Sequence, residues 1–501
     1  MDRSRGTRNL GRLLFSLFSG FLISVFWLEL PANAQQTGPP QTPERSNPIP
    51  EVRTTPGAGN LPSSVFDPSS LIRQNLPGAA RTSPAPAHLS LTDAIQLALQ
   101  NNLATLSAQE QRREATGFVQ QARSPLLPNI SAASYQANLT LNLAALGFQG
   151  SVFPGLSTFI GPFNNFDARA RLVQTIFDLS AIRNYQSSRE GIHIAEFRQQ
   201  LAREQVAEAT ALTYLETLRT DRNVAAADAN VKLAEALLRL AQDQRNAGVA
   251  TGVDVTRAET RLAQERVDLA QAQTIAEQAR LNLQRVIGVS LGSTLVLSDQ
   301  LTFTVEPLPH ADTAVTEALS RRAEVLISEA QVSMFNLERK AVADEYLPSL
   351  QFVGDYGVSG ITPTDTALPT RRVAVQVNVP IFNGGLTRGR LTVATSHEHE
   401  AELQLGNVRG QVEQDVRLAL STLRTTVERV RAADEAMRLA ERELEMSRDR
   451  FRAGVADNLE VISAQTSLAN ARAGQVQALA AYNAARLNLA AALGRAETFR
   501  W

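Results

Sequence analysis

The chain has 501 residues, of which 49 are basic and 50 acidic, and its formal charge of -1 gives no reason to expect a nucleic-acid partner. It contains no cysteine, which excludes thiol catalysis, thiolate metal sites and disulfides. Its two lysines, Lys232 and Lys340, do not follow a glycine, so the phosphate loop of P-loop NTPases is excluded. We therefore expect a large protein that holds no nucleotide, metal or other cofactor.

Residues 1–34 have the pattern of a secretory signal peptide. Arginines precede a short apolar run, and the small residues Ala32 and Ala34 stand at −3 and −1 from a cleavage site before Gln35. A retained membrane anchor is the alternative, but the run would span only about 24 Å as a helix, against about 30 Å of hydrocarbon. We predict that the signal peptide is cleaved and the chain exported.

The segment 35–88 is predicted to be a disordered tether. It carries 11 of the 22 prolines and few residues that could pack. Such a composition buries too little apolar surface to offset the entropy lost on ordering.

The rest of the chain is one unit that occurs twice. Matched residues recur at a nearly constant offset: Ala94, Ala98, Leu127 and Pro128 become Ala314, Ala318, Leu347 and Pro348, and Ala247-Gly248-Val249-Ala250 becomes Ala453-Gly454-Val455-Ala456. Self-similarity of this length indicates a structural duplication. We divide the chain into a first unit at 89–290, a connection at 291–311, a second unit at 312–494 and a tail at 495–501.

Each unit is predicted to contain the same elements in the same order. A first helix, 91–124 or 312–344, precedes two strands. A very long helix, 184–246 or 388–452, then leads to a glycine turn and a returning helix. The returning helices end near Gly288 and Gly494, where glycine suits a helix C-terminus.

The helices and the strands show different apolar periods. In the long and returning helices, apolar residues recur every seven positions, which predicts coiled-coil seams: Val416, Leu423, Val430, Met437, Leu444 and Phe451 in one helix, and Val255, Leu262, Leu269, Ala276 and Leu283 in another. The lengths predict that two short helices lie end to end beside one long helix. In the strands the period is two, with Val373, Val375 and Val377 on one face.

The strand pattern predicts an oligomer in a membrane. Four strands with an outward apolar face would leave two open edges, which lipid does not tolerate, so the edges must close with those of other copies. Two copies would give eight strands and three would give twelve, and the residues alone do not decide between them. A soluble four-stranded sheet flanked by helices is the alternative.

This combination resembles the TolC family of outer membrane efflux proteins over residues 89 to about 494. The resemblance rests on the duplicated unit, on Leu127-Pro128 and Leu347-Pro348 before the strands, and on the turn Pro380-Ile381-Phe382-Asn383-Gly384-Gly385 after them. It implies a mainly α-helical fold with membrane strands. The expected assembly is a homotrimer with a 12-stranded barrel in outer-membrane lipid, a 12-helix periplasmic barrel and a small mixed equatorial region.

The resemblance also implies a function and partners. The expected function is that of a passive exit duct in the outer membrane of a two-membrane bacterium. It would serve an efflux or type I secretion system, together with a periplasmic adaptor and an inner-membrane pump. The chain departs from the pattern in its first unit, where Thr175 and Leu179-Ser180 replace Pro380 and Gly384-Gly385.

The hairpin tips are the candidate site for the adaptor. The predicted docking residues are Ala247, Gly248 and Val249 at one tip, and Ala453, Gly454 and Val455 at the other. Glycine permits the tight reversal. A simple chain turn without docking is the alternative.

The same tips are predicted to hold the periplasmic gate. Asp254 and Glu460 each lie six residues after a tip glycine, so three copies would form carboxylate rings that select cations. The alternative is that both are acidic residues in the first turn of a helix, where a negative charge is favourable beside the N-terminal end of the helix dipole. Relatives latch the first-copy acid with a tyrosine and an arginine, where this chain has Phe451 and Ala456, so closure is expected to depend on packing of Phe451.

Other functions have weaker support. A trimeric coiled-coil surface adhesin with a barrel anchor would carry its strands once, at the C-terminus. A hydrolase would rest on Ser290 within a G-x-S-x-G pattern that lacks the required strand before it. His397-Glu398-His399 has the wrong spacing for chelation from one helix face. We therefore expect no enzyme activity and no metal site.

Overall fold

The computed structural model describes residues 77–143, 145, 159–305 and 307–500. All of them belong to one compact unit, Val65–Trp501. The predicted cleavage site at Ala32, Ala34 and Gln35, and the predicted tether up to residue 76, lie outside the described residues.

Both halves have the predicted order of elements. The first half contains β1 (His88–Leu89), α1 (Leu91–Asn101), α2 (Leu103–Arg123), β2 (Asn129–Asn142), β3 (Phe159–Phe177), α3 (Leu179–Asn246) and α4 (Gly252–Ile287). The second contains β4 (Val296–Leu297), α5 (Ala311–Arg321), α6 (Ala323–Asp344), β5 (Ser349–Gly360), β6 (Leu368–Asn378), α7 (Leu386–Arg452) and α8 (Asn458–Ala492). At 68 and 67 residues, α3 and α7 are each about 100 Å long.

The prediction of one continuous first helix is wrong in both halves. The first helix breaks at Asn102, whose extended backbone separates α1 from α2 and whose side chain accepts a hydrogen bond from the amide of Ala104. The second breaks at Arg322, again in an extended conformation. An asparagine favours such a break because its side chain replaces the missing backbone partner. At Arg322 no side-chain cap is formed, and the guanidinium instead pairs with Asp415 and Glu324.

The predicted tether is also too long, because residues 77–88 lie against the helices. The amide of Ala80 donates to the carbonyl of Asn101, and the amide of Ser83 donates to the carbonyl of Gly288, both at 2.7 Å. The side-chain amide of Asn101 donates to Ser83 Oγ and to the carbonyl of Ile287. Backbone groups left free at the α1–α2 break and at the end of α4 therefore anchor this segment.

The four long strands form one antiparallel sheet in the order β2-β3-β5-β6. The predicted apolar positions of β6 are exposed on one face, Val373 most of all at 71 %. The outer strands β2 and β6 each pair on one side only among the described residues. The sheet therefore has two open edges and one exposed apolar face.

The helices pack in the predicted stacked arrangement. Towards the hairpin tips their order is α4-α3-α8-α7, and towards the sheet it is α2-α3-α6-α7. The predicted heptad seams are largely buried, with Leu283, Val416 and Val430 fully so. No helix within the described residues is both long and apolar enough to cross a membrane.

Between sheet and tips, the connection after α4 packs onto the helix layer. The strands β1 and β4 pair in parallel. The buried hydroxyl of Tyr214 on α3 lies 2.9 Å from the carbonyl of Leu89 and 2.8 Å from Asp299 Oδ2. The same Asp299 oxygen accepts from the amide of Leu91 at 2.8 Å. This network ties the middle of α3 to the start of α1 and to the connection after α4.

Candidate functional site: the hairpin tips

The first tip reverses the chain between α3 and α4. Helix α3 ends at Asn246, and Gly248 follows with φ +77°. The amide of Val249 then donates to the carbonyl of Gln244 at 2.9 Å. A left-handed residue at this position closes the last helical turn, and glycine adopts it without a Cβ clash.

The second tip repeats this geometry between α7 and α8. Gly454 has φ +71°, and the amide of Val455 donates to the carbonyl of Arg450 at 3.1 Å. Asp457 caps α8 by accepting the amide of Glu460. The two tips are thus built in the same way from matched residues.

The structure brings the two tips of one chain together. A Cβ built on Gly454 would lie 3.3 Å from Cγ1 of Val249, whereas one on Gly248 would meet nothing within 4 Å. Asn458 is 2 % exposed, and its side-chain amide donates to the backbone carbonyl of Asp254 at 2.8 Å. Asn458 was not found from the sequence because its matched position in the first unit is a glycine, Gly252.

The joined tips present an apolar surface. Val249 and Val455 are 57 % and 69 % exposed. Val253 and Leu459, which also occupy matched positions, are exposed beside them. Val253 and Leu459 were not among the predicted tip residues, although the constant offset between the two units relates them. Four exposed apolar side chains at a helix end are suited to contact a protein partner.

Asp254 is engaged in capping its own helix. Its carboxylate accepts from the Thr251 hydroxyl at 2.7 Å and from the Thr251 amide at 2.9 Å, while its amide donates back to the hydroxyl. These bonds, with a smaller contribution from Arg257, hold the pKa of Asp254 below its usual value. The arrangement is a capping box, which corresponds to the alternative interpretation of this acid.

Glu460 is less constrained than Asp254. Its carboxylate is 40 % exposed and lies 3.2 Å from Nε of Arg450, an ion pair that the sequence analysis did not identify. The contact between the two hairpins beside it is made by Asn458, whose side-chain amide donates to the backbone carbonyl of Asp254 and not to either carboxylate.

Phe451 lies in a buried cluster and Ala456 does not. Phe451 packs in one apolar group with Leu237, Leu444 and Val461, which joins α3, α7 and α8 just inside the tips. Ala456 is half-exposed in the turn before α8. An aromatic ring thus packs at the position where relatives are expected to have a tyrosine.

The turn after β6 is the other predicted feature of the family pattern. The chain is irregular from Pro380 to Asn383, and Gly384 and Gly385 have positive φ before α7 begins. The side chains of Phe382 and Ile381 are exposed there. In the first half Asp178 caps α3 directly after β3, so no glycine is needed.

The other motifs are explained by local packing. Ser290 follows the C-terminal cap of α4 at Gly288, where a Cβ would clash with Arg81. Glu398 binds Arg339 and Asn336 on the neighbouring α6, and His399 lies near Glu402. No group of residues able to hold a metal occurs in the part of the chain that the structure describes.

Comparison with known proteins decides the family. The family model described as "Outer membrane efflux protein" matches residues 94–289 and 314–495. The chain belongs to the outer membrane efflux protein family. This membership confirms the resemblance found in the sequence, together with the expected outer-membrane location and export role. It is a family of channels rather than enzymes.

Individual relatives agree with this assignment. The chain is 22 % identical over 424 residues to outer membrane protein TolC of Escherichia coli, covering 81 % of this chain and 83 % of TolC. It is 24 % identical over 395 residues to the alkaline protease secretion protein AprF of Pseudomonas aeruginosa, covering 76 % and 80 %. The solved structure of outer membrane protein VceC from Vibrio cholerae has the same fold, with a TM-score of 0.70, 18 % identity and coverage of 81 % and 96 %.

Proposed function

We propose that this protein is a passive homotrimeric exit duct of a tripartite efflux or type I secretion system. Three copies would combine their sheets into a 12-stranded outer-membrane barrel and their helix layers into a 12-helix periplasmic barrel. The observation that carries this proposal is that both layers have two open edges. The chain itself supplies no chemistry, and a partner pump provides the energy.

The sheet edges support closure between copies. Among the described residues, the outer edges of β2 and β6 have no pairing strand, while Val373, Val375 and Val377 form an apolar face. In lipid such edges are prohibitive unless they pair, and pairing β6 of one copy with β2 of the next closes the sheet.

The helix edges carry a second apolar stripe. On α4, Val267 and Leu281 are exposed and lie 14 residues apart. On α7, Leu439 and Met446 are exposed and lie seven apart. Each stripe is offset by two residues from the buried seam of its helix, which places it about 200° around the axis. The layer therefore has heptad-spaced apolar residues on both outer helices, as closure with a second copy requires.

Cross-linking tests this closure directly because the chain has no cysteine. We would introduce cysteines at Val267 and Leu439, treat outer membranes with a short bis-maleimide, and separate the products by mass. We expect covalent species that stop at three chains. A matched control replaces Leu439→Cys with Glu441→Cys, which is exposed on α7 but lies off the stripe, and should give far less product. Ladders that stop at two chains or continue past three would contradict the trimer.

We propose that the adaptor of the pump docks on the tips. The docking surface consists of Ala247, Gly248, Val249, Ala453, Gly454 and Val455, extended by Val253 and Leu459. Single changes Val455→Asp and Leu459→Asp should abolish pump-dependent export while trimers still assemble. The control Leu291→Asp places the same charge at an exposed apolar residue outside the tips, and export should be normal. Normal export from the tip variants would contradict docking there.

The gate proposal rests mainly on Glu460. Three copies would bring three of these partly exposed carboxylates towards one axis, and such rings favour cations. Asp254 contributes less because its charge is bound in the capping box. Glu460→Gln should reduce cation selectivity in planar bilayers, and unchanged selectivity in this variant would contradict the proposed acidic ring.

The proposed signal peptide is tested by N-terminal sequencing of the mature protein, whose sequence should begin at Gln35.

A further inference from the structure

The polar face of the sheet carries a row of charged residues. The register places Arg171 of β3 opposite Asp355 of β5, and Asp355 opposite Arg372 of β6. Alternation along β3 puts Asp167 and Arg169 on the same face as Arg171. The opposite face of β6 carries Val373, Val375 and Val377.

One arginine of this group binds both carboxylates. Arg169 forms ion pairs with Asp167 and with Asp355. Gly357 allows this, because a Cβ at its position would lie 2.5 Å from Cβ of Arg169. Arg171 and Arg372 form no ion pair within the described residues. Because Arg169 binds both carboxylates, Arg171 and Arg372 are left outside these ion pairs, and the three arginines and two aspartates of this group carry a net charge of +1 per chain.

Closure of the barrel would not neutralise them. Arg372 lies on the edge strand β6, which would pair with β2 of the next copy. Strand β2, Asn129–Asn142, contains no aspartate or glutamate. Three copies would therefore place six guanidinium groups that form no ion pair within the described residues around one ring of the lumen, and the ring, with its aspartates counted, would carry a net charge of +3.

We propose that Arg171 and Arg372 form an anion-binding ring inside the outer-membrane barrel, which binds carboxylate or phosphate groups of passing cargo, whereas the acidic ring proposed at the tips acts on cations at the other end of the duct. This inference rests on the proposed trimeric duct. A guanidinium presents paired N–H donors that match carboxylate and phosphate oxygens, and rings of arginine select anions in pores. Arg171 on β3 and Arg372 on β6 stand two strands apart, which is about 10 Å at the usual strand spacing, so two long guanidinium side chains can contact one multivalent anion.

Planar bilayers test the ring, with inorganic tripolyphosphate as the probe. Added to the compartment that faces the barrel, tripolyphosphate should block the wild-type channel. The double variant Arg171→Gln/Arg372→Gln should weaken this block by about tenfold or more, as expected from losing charge-assisted hydrogen bonds. It should also shift the reversal potential in a salt gradient towards cation permeation. The matched control is Arg371→Gln, which removes the same charge from the neighbouring residue on the apolar face and should leave both properties unchanged.

A second variant separates charge from loss of structure. Arg171→Lys/Arg372→Lys keeps both charges, so the reversal potential should stay near the wild-type value while the block weakens. Equal block in wild type and in the glutamine double variant, from channels of normal conductance, would overturn the ring and leave the duct intact. An effect of Arg371→Gln as large as that of the double variant would overturn it as well. Trimers that never conduct would refute the proposed duct, and the ring with it.

Discussion

Replacing Thr251 separates the two roles considered for Asp254, helix cap and gate acid. Thr251→Ala removes the hydroxyl that lies 2.7 Å from the Asp254 carboxylate and accepts the Asp254 amide. Loss of such a cap costs about 1 kcal/mol. Since 1.4 kcal/mol is a tenfold change in an equilibrium constant, local opening of the first turn of α4 should increase roughly fivefold.

Hydrogen exchange on the purified oligomer measures this opening. Amides in the first turn of α4 should lose roughly fivefold in protection in Thr251→Ala, and Thr251→Ser should retain the wild-type value because it keeps the hydroxyl. Amides at the start of α8, where Asp457 is the cap, serve as an internal reference and should not change. Unchanged protection at α4 would show that the capping box contributes nothing to the tip.

The stabilisation that Asp254 gives to the start of α4 depends on pH in a definite direction. The pKa of Asp254 is lowered by folding, so its stabilising effect is complete above the ordinary aspartate pKa of about 3.9 and is lost as pH falls through the lower folded value. The difference in first-turn protection between wild type and Thr251→Ala should therefore be constant from about pH 8 to pH 5.

If Asp254 is only a cap, Asp254→Asn should leave ion selectivity unchanged while Glu460→Gln reduces it. Equal loss of selectivity in both variants would mean that Asp254 also faces the pore.

Three further predictions concern the tips and the helix layer. Bulky replacements at Gly248 or Gly454 should abolish export while trimers remain. Gly454→Val should destabilise the tips more than Gly248→Val, because a side chain at position 454 also meets Val249. Loss of trimers would instead indicate a purely structural turn. Phe451→Tyr with Ala456→Arg should lower resting conductance in planar bilayers by restoring the donors of a latch, and an unchanged conductance would show that closure depends on packing alone. Burial raises the pKa of Glu208 to about 7, so the ionisation of this side chain opposes folding increasingly from about pH 4.3 to pH 7. Glu208→Gln should therefore stabilise the protein by on the order of 1 to 3 kcal/mol at pH 8 and by little at pH 4.5. Equal stabilisation at both pH values, measured by chemical denaturation, would contradict this.

Much of the architecture follows from patterns that the chain repeats. The seven-residue spacing from Val416 to Phe451 specifies a buried seam, and the structure buries it. The alternation around Val375 specifies a strand with one apolar face, and the constant offset between Gly248 and Gly454 specifies two equivalent tips. These features depend on periodicity within one element, which sequence shows directly.

The remaining features depend on contacts between elements. The break at Arg322 carries no local signal, because its partner Asp415 lies on another helix. Residues 77–88 have a composition typical of disorder, but Asn101 and the end of α4 offer them free hydrogen-bonding groups. The contact of Asn458 with the Asp254 carbonyl arises only when the two hairpins lie side by side.

Single-channel recording of the purified oligomer in a planar bilayer tests the central claim most directly. The claim is that the protein is a passive duct that opens without chemistry of its own. It predicts ion conductance without nucleotide or other cofactor, from a complex whose mass is three mature chains. A complex of that mass that inserts into the bilayer and never conducts, even when the first tip is destabilised by Thr251→Ala, would contradict the account.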